Sequence, residues 1–438
     1  MRLFFKILVV FGLTVALLIP LSMIRGTVQD RQSHRTRAVE EVARSTAGAQ
    51  ALAGPVLFVP YTDRVVTLRT DERGIQRRVE QVRRGTWTFF PQTLDVRGRL
   101  QSLPRMRGLH EVRVFELATR VRATFRVTIP RSDEASTRRT VGPARLGMGL
   151  RDVRGLFGVP SLLVAGTPRT LRQGLGQDGG SGLHAVLDAP AAGQSLAFDV
   201  DFQASLQGTE TLSIVPLAGR NAIALESSWP HPQFHGDFLP RSREIHSDGF
   251  RARWEVSSLA SNAQAQYRAA SRQAEPGPAV IDSISVSLVD PVNVYSQVDR
   301  ATKYGVLFVL LTFVAFFVFE LLRQLRIHPI QYGLVGLAIS IFFLLLLALS
   351  ERVAFGLAYL AAAVACVGLI GYYLGHVLGG WKRGAGFAAM LGTLYAALYG
   401  LLISEDNAMV LGAGLLFVVL AAIMVLTRRI DWYESTVS

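Results

Sequence analysis

Cysteine is nearly absent from this sequence, and so are the patterns that commonly mark an enzyme. Cys366 is the single cysteine, so no intramolecular disulfide can form and a small disulfide-stapled fold is excluded. The chain contains no G-x-S-x-G motif, which excludes the nucleophile elbow of the α/β-hydrolases. The residues therefore predict no catalytic group and no cofactor.

Charged residues are missing from several long apolar runs. Apolar residues make up 50% of the 438 positions, and they are concentrated at the two ends of the chain. Because about 20 apolar residues in a helix cross a bilayer, this distribution excludes an ordinary soluble enzyme and predicts a polytopic α-helical membrane protein. The six predicted transmembrane helices, one followed by five, are Phe4–Ile24, Gly305–Leu322, Tyr332–Leu349, Val353–Leu374, Ala385–Ile403 and Ala408–Leu426.

Positive charges in the short segments next to the spans predict their orientation. With the N-terminus in the cytoplasm, seven of these cations fall on the cytoplasmic side and one, Arg352, on the other. Both termini are then cytoplasmic, and the long segment after the first span is extracytoplasmic. The seven cytoplasmic cations are Arg2, Arg323, Arg326, Lys382, Arg383, Arg428 and Arg429.

The spans divide the chain into four predicted parts. The first span is expected to remain as a signal anchor, since no small-x-small cleavage site follows it. The predicted parts are residues 1–24, the N-terminal signal anchor; residues 25–304, the extracytoplasmic domain; residues 305–426, a bundle of five transmembrane helices; and residues 427–438, a cytoplasmic tail.

Within the extracytoplasmic domain the hydrophobic period changes from that of a helix to that of a strand. A juxtamembrane helix is predicted over Asp30–Ala53, ended by Gly54-Pro55. After it, apolar and polar residues alternate, as in Val121–Ile129. We expect a mainly-β, antiparallel, sandwich-like domain, with the Gly-rich stretch Gln173–Gly182 as a candidate seam between lobes. Further strands are predicted at Leu196–Phe202, Phe250–Val256 and Ile281–Leu288.

Histidines and carboxylates cluster in one short segment of this domain. His231, His235 and His246 are of a residue type that ligates zinc, and acidic residues lie close to them in the sequence. Pro230 and Pro232 flank the first histidine, so these side chains cannot share a helix face by simple spacing. The alternative is a proline-rich surface turn, and the three histidines are retained only as weak metal candidates.

Glu320 is the acidic residue that lies inside a predicted span. A carboxylate in hydrocarbon is costly unless it is paired or faces the interior of the bundle, so it is a candidate functional residue. The alternative is a structural ion pair with Arg323, one helical turn away.

The extracytoplasmic domain is basic, with 37 Lys and Arg against 27 Asp and Glu. Such a surface attracts anionic envelope lipid or glycan, or an acidic envelope protein. Arg120, Arg122 and Arg126 share one face of a predicted strand and are candidate contacts, or else the solvated face of that strand. The topology argues against nucleic acid as a partner and makes the lipid bilayer one.

Four stretches of the sequence are similar to a known family. The chain resembles the CreD family of bacterial inner-membrane proteins, which are associated with cell-envelope integrity and colicin tolerance. The resemblance implies an inner-membrane location and a stress-response role under a two-component system, and it implies no catalytic residues. The matching stretches are QALAGPVLFVPY (Gln50–Tyr61), SSWPHPQFHGDFLP (Ser227–Pro240) with GFRARW (Gly249–Trp254), DPVNVYSQVDRATKYGVLFVLLT (Asp290–Thr312) and HPIQYGLVGLAISIFFLLLLALSERVA (His328–Ala354).

Three functions are therefore considered. The leading one is a non-enzymatic inner-membrane protein whose periplasmic β domain supports envelope integrity by binding lipid, glycan or protein. The first alternative is a transporter or flippase-like protein that uses its C-terminal bundle and Glu320. The second is an extracytoplasmic metal-dependent enzyme built on the histidine cluster.

Overall fold

The chain divides into two compact units, which we call the helical unit and the β unit. The helical unit comprises Met1–Thr36 and Val292–Ser438, and the β unit comprises Arg37–Pro291. The structure is a computed structural model. It describes residues 2–70, 76–108, 110–132, 137–177, 180–271, 281–288, 294–323, 327–377, 380–404 and 408–428.

Long apolar helices build the helical unit. Five helices in the described part of the chain are long and apolar enough to cross a membrane, which confirms the first five predicted spans. The sixth predicted span is a shorter apolar helix, with Met409–Val425 as its apolar stretch. The helices of the described chain are α1 (Arg2–Ser45), α2 (Ala263–Ala270, in the β unit), α3 (Val294–Arg323), α4 (Pro329–Ser350), α5 (Phe355–Val377), α6 (Trp381–Ile403) and α7 (Ala408–Thr427).

Glycines allow the helices of this unit to approach closely. A Cβ atom added at Gly336 of α4 would lie 2.2 Å from a methyl group of Leu17 in α1. A Cβ atom added at Gly384 of α6 would lie 2.5 Å from the Cα atom of Gly375 in α5. Small residues at these positions therefore allow the backbone of one helix to pack closely against the neighbouring helix. Close packing of this kind lets helices associate in lipid, where there is no hydrophobic driving force between them.

The first helix is longer and ends earlier than the sequence pattern predicts. Residues Arg2–Ser45 form one continuous helix, and Gln50–Thr70 form a strand, so the predicted helix over Asp30–Ala53 is wrong in its last turns. Gly54 lies in that strand at a φ of 120°, where the register shifts between Ala53 and Val56. Gly54-Pro55 therefore marks an irregularity in a strand rather than the end of a helix, because strand pairing on both sides outweighs the local helical spacing.

The carboxylate of Asp152 forms hydrogen bonds that fix the chain just after α1. Asp152 accepts hydrogen bonds from the Gly48 backbone N–H at 3.3 Å and from the Arg154 guanidinium at 2.7 Å. The same guanidinium donates to the carbonyl of Arg44 in the last turn of α1, at 3.1 Å. The Arg154 guanidinium, with the Gly48 N–H, holds the pKa of the Asp152 carboxyl below its usual range.

Seventeen strands of the described chain form two sheets in the β unit. The first sheet has the order β14-β17-β12-β1-β6-β10-β9, with β2 and β5 also paired to β1. The second has the order β15-β16-β13-β3-β4-β11-β7-β8. The strands are β1 (Gln50–Thr70), β2 (Gln76–Phe89), β3 (Thr93–Arg107), β4 (His110–Thr128), β5 (Thr137–Val141), β6 (Arg145–Leu150), β7 (Leu156–Val164), β8 (Thr167–Pro168), β9 (Arg172–Gln173), β10 (Gly182–Val186), β11 (Ser195–Thr209), β12 (Thr211–Val215), β13 (Arg220–Ser227), β14 (Gln233–Gly236), β15 (Ser242–His246), β16 (Gly249–Ser257) and β17 (Ile284–Ser287).

The two sheets share one hydrophobic core, which confirms the predicted sandwich-like fold. Leu57 and Leu146 of the first sheet belong to the same buried cluster as Phe125, Phe202 and Trp254 of the second. Most neighbouring strands are antiparallel, as predicted, but β1 pairs with β12 and β3 pairs with β13 in parallel. These partners are far apart in the chain, so no tight hairpin forces them to be antiparallel.

The Gly-rich stretch Gln173–Gly182 is not a seam between lobes. It connects β9 to β10, which are antiparallel neighbours in the first sheet, and the whole of Arg37–Pro291 forms one compact unit. Gly174 and Gly176 have φ values of 92° and 84°, which glycine adopts without strain. Glycine enrichment in this stretch therefore reflects a hairpin connection.

Asp152→Asn is expected to destabilise the full chain near neutral pH by about 1.5–3 kcal/mol, the usual contribution of a hydrogen bond to a charged group. Because the folded-state pKa is lowered, this stabilisation is present above the ordinary value of 3.8 and is lost as the pH falls through the folded-state pKa. Thermal unfolding of the wild type and of Asp152→Asn in an uncharged detergent, at a series of pH values from 7 to 3, measures the difference in Tm. An equal loss of Tm at both ends of that range would contradict the role of the charge.

Candidate functional site: an arginine-lined groove

The structure separates the three histidines that the sequence brings close together. His235 lies on β14 in the first sheet and His246 on β15 in the second, while His231 precedes β14. All three are exposed. The ring of His231 packs edge-on against Trp229, and His235 lies 3.2 Å from the Ser287 hydroxyl. Among the described residues, which include all three, no group of three His, Cys, Asp or Glu side chains is arranged to hold a metal ion.

The candidate arginines Arg120, Arg122 and Arg126 lie on the outer face of the second sheet. They alternate along β4 with Val121, Ala123 and Phe125, which are buried between the sheets. Because side chains along a strand point alternately to the two faces, all three arginines face away from the core. The strand register decides which charges stand beside each of them.

Arg120 belongs to a row of arginines that runs across the second sheet. On β3 its direct neighbour is Arg97, whose neighbour on β13 is Ala224. Ala224 is in turn opposite Arg253 on β16. Three arginines and one alanine therefore occupy adjacent outward positions on four neighbouring strands.

The rows on either side of this one differ in charge. One contains Arg251, Glu226 and Arg99, followed by Ala118 on β4. The other contains mostly carboxylates, and Arg122 lies within it. Its members across five strands are Glu255, Ala222, Asp95, Arg122 and Asp201. The outer face is therefore divided into a basic part and a more acidic part.

The basic part forms a shallow groove of about 670 Å³. Five arginines and a single carboxylate, Glu226, line it. Small outward side chains at Ala118 and Ala224 leave room above the sheet between the guanidinium groups. We call this feature the arginine groove and define it by Arg97, Arg99, Arg120, Arg251 and Arg253.

Three arginines of the arginine groove form ion pairs with nearby carboxylates. Arg99 pairs with Glu226 at 2.5 Å, and Arg97 pairs with Asp95 at 3.2 Å. Arg120 binds Asp201 through two guanidinium nitrogens, and this contact holds the pKa of the Asp201 carboxyl below its ordinary range. Exposed pairs of this kind contribute about 0–1 kcal/mol, so an anionic ligand can displace or share them.

Two of the three candidate arginines lie outside the arginine groove. Arg122 is 3.5 Å from Asp201 and lines the neighbouring depression with four carboxylates. Arg126 is opposite Ala197, farther along β4. Sequence reasoning did not select Arg97, Arg99, Arg251 or Arg253. Their alternation with apolar residues is visible in the sequence, but their positions in two neighbouring rows depend on pairing between strands more than 100 residues apart in the chain.

Glu320 is buried in the helical unit and is 8% exposed. Its Oε2 atom accepts a hydrogen bond from the Tyr332 hydroxyl at 2.8 Å, and its Oε1 atom accepts one from the Ile327 backbone N–H at 3.2 Å. These contacts join the end of α3 to the connection before α4 and to α4 itself. The predicted pair with Arg323 lies outside the described residues, since that side chain is not described.

The fold and the comparisons together define the kind of protein. Apolar helices joined to a two-sheet β unit define a polytopic membrane protein with a large mainly-β domain. A family model described as Inner membrane protein CreD matches residues 2–433. The Inner membrane protein CreD of Escherichia coli strain K12 is 36% identical over 434 residues, which is 98% of this chain and 94% of that protein. The chain belongs to the CreD family of inner-membrane proteins, which confirms the resemblance and the inner-membrane location.

Solved structures match only part of the chain. The M1 zinc metallopeptidase from Deinococcus radiodurans has a TM-score of 0.21 and 7% identity, covering 45% of this chain and 41% of that chain. A form of that enzyme bound to a Tyr-Ser-Ala substrate has a TM-score of 0.21 and 8% identity, covering 45% and 42%. The chain thus spans less than half of those proteins, and likenesses of this size carry no argument about function.

Tyr332→Phe is expected to lower the stability of the full chain by about 0.6 kcal/mol, the average for a hydrogen bond between membrane helices. Glu320→Ala is expected to cost more, because it removes the acceptor of both the tyrosine and the Ile327 N–H. Thermal unfolding in neutral detergent measures both variants, with Tyr372→Phe, an exposed helix tyrosine, as the matched control. If Glu320→Ala unfolded like the control, Glu320 would not join the two helices energetically.

Proposed function

We propose that this protein supports the integrity of the cell envelope by binding an anionic envelope component, without turning it over. The distribution of cations around the spans supports a periplasmic position for residues 25–304, including the arginine groove. Binding there would connect the inner membrane to a component of the envelope outside the cytoplasm.

The charge of the arginine groove is the observation that carries this proposal. Its lining contains five arginines and one carboxylate, and Arg97 and Arg99 keep 71% and 77% of their side-chain surface exposed. A guanidinium stays protonated at every physiological pH and donates hydrogen bonds in a planar fork that matches carboxylate and phosphate groups. Groups that cannot exchange a proton suit the retention of an anion better than acid–base chemistry.

Charge reversal of the arginine groove is expected to abolish the function. In a strain that lacks the gene, a plasmid-borne Arg97→Glu/Arg120→Glu/Arg253→Glu variant should fail to restore exclusion of a dye under detergent stress. The reason is that three attractive charges become repulsive toward an anion. Leakage and the level of membrane-inserted protein are measured together, so that loss of the protein is not mistaken for loss of binding.

The matched control is Arg84→Glu/Arg138→Glu/Arg172→Glu, which reverses three exposed arginines of the first sheet. This control should restore the barrier as well as the wild type does. If the groove variant is present at normal level and also restores the barrier, binding at the arginine groove is not the function.

Transport remains the second candidate function, since a buried carboxylate in a membrane helix is a common element of proton-coupled carriers. Glu320→Gln keeps the shape and the acceptor oxygen toward Tyr332 or Ile327 but removes the exchangeable proton. We expect this variant to restore the envelope barrier fully in the same dye assay. A complete loss of the barrier, with normal protein level and unchanged thermal unfolding, would favour transport instead.

A further inference from the structure

We propose that the arginine groove binds an amphiphile with a phosphate monoester headgroup, with the phosphate held by Arg97, Arg120 and Arg253. The apolar part of this lipid would lie along Phe157 and Val159 at the other side of the groove. This inference rests on the proposed function and specifies its ligand class.

Like charges lie opposite each other within the arginine row. Arg97 and Arg120 are directly opposite each other on β3 and β4, and like charges at directly opposite positions destabilise a sheet. Arg120 pairs with Asp201, which lies diagonally opposite on β11, and Arg97 pairs with Asp95 on its own strand. Arg253 has no ion pair among the described residues. An anion placed over the row would remove the repulsion between the two opposed arginines and give Arg253 a partner.

The spacing of the row suits a compact anion with more than one charge. Neighbouring strands lie about 4.8 Å apart, so Arg97 and Arg120 originate about one strand spacing from each other and Arg253 about two from Arg97. The intervening outward residue is Ala224, too short to separate the guanidinium groups. Several arginines can then converge on one phosphate, which accepts hydrogen bonds at three oxygens and carries up to two charges.

The opposite side of the groove is apolar and exposed. Phe157 and Val159 of β7 are 42% and 96% exposed, and both line the groove together with the arginines. Phe157 is opposite Ser205 on β11, in the same row as Ala118 and Arg99. Exposed aromatic and aliphatic groups beside a cluster of cations match a molecule that has both an anionic head and an acyl chain.

The test measures binding to the full-length protein in a neutral detergent, with dioctanoyl phosphatidic acid as the probe. Microscale thermophoresis compares this probe with dioctanoylglycerol, which lacks the phosphate, and with inorganic phosphate, which lacks the chains. We expect saturable binding of the phosphatidic acid, no binding of dioctanoylglycerol, and weaker binding of inorganic phosphate. Equal affinity for inorganic phosphate and phosphatidic acid would assign the groove to a free phosphate and overturn the lipid.

Substitutions separate the two parts of the proposed site. Arg97→Ala/Arg120→Ala/Arg253→Ala should weaken the binding of phosphatidic acid by at least about tenfold, because the variant lacks the charged donors that hold the phosphate. Phe157→Ser/Val159→Ser should weaken the binding of phosphatidic acid but leave the affinity for inorganic phosphate unchanged. Arg84→Ala/Arg138→Ala/Arg172→Ala, in the first sheet, is the matched control and should bind as the wild type does.

One substitution should strengthen binding, which a damaged fold does not explain. Glu226→Gln removes the single carboxylate that lines the groove. The variant should bind phosphatidic acid a few-fold more tightly, because one negative charge that repels the phosphate in water is lost. Unchanged affinity in the triple arginine variant, or weaker affinity in Glu226→Gln, would overturn the proposal.

The two proposals can fail separately. If the wild-type protein shows no binding of phosphatidic acid but the charge-reversed variant still fails to restore the envelope barrier, the phosphate lipid is wrong and the groove remains the functional site. If phosphatidic acid binds at the groove but the charge-reversed variant restores the barrier, the ligand class stands and the proposed function is wrong.

Discussion

Side chains along each strand of the second sheet must alternate between the core and the outer face, and the remaining features of the β unit depend on this constraint. Val121, Ala123 and Phe125 are buried because the two sheets share one hydrophobic core. The side chains of the intervening residues therefore face outward, because successive side chains of a strand point to opposite faces of the sheet. Once the core positions are set, each outward charge has neighbours that only the strand register determines.

This constraint turns scattered arginines into a site. Arg97, Arg120 and Arg253 come from three different strands, and burial of the residues beside them places all three in one row. The carboxylates fall mostly in a neighbouring row, so the positive charge of the row is only partly compensated. A net basic composition alone would allow arginines to be distributed evenly over the surface, whereas this sheet concentrates five of them around one groove.

The helical unit depends on a different physical balance. In lipid, apolar side chains gain little by meeting each other, so close approach and satisfied polar groups decide the packing. Gly336 and Gly384 allow the approach, and Glu320 joins two helices through Tyr332 and the Ile327 N–H. A carboxylate with both oxygens engaged has a structural role that is visible in the contacts.

The amino-acid sequence by itself determined the membrane spans, the alternating strands and the family, because each of these depends on residues close together in the chain or on similarity along it. Tertiary structure decided where α1 ends, because β1 pairs with strands on both sides and takes residues up to Ala53 out of the predicted helix. It also decided that Gln173–Gly182 is a hairpin and that the histidines are separated. Finally, it placed Arg120 beside Arg97, because the register between strands depends on packing of the whole core and not on local spacing.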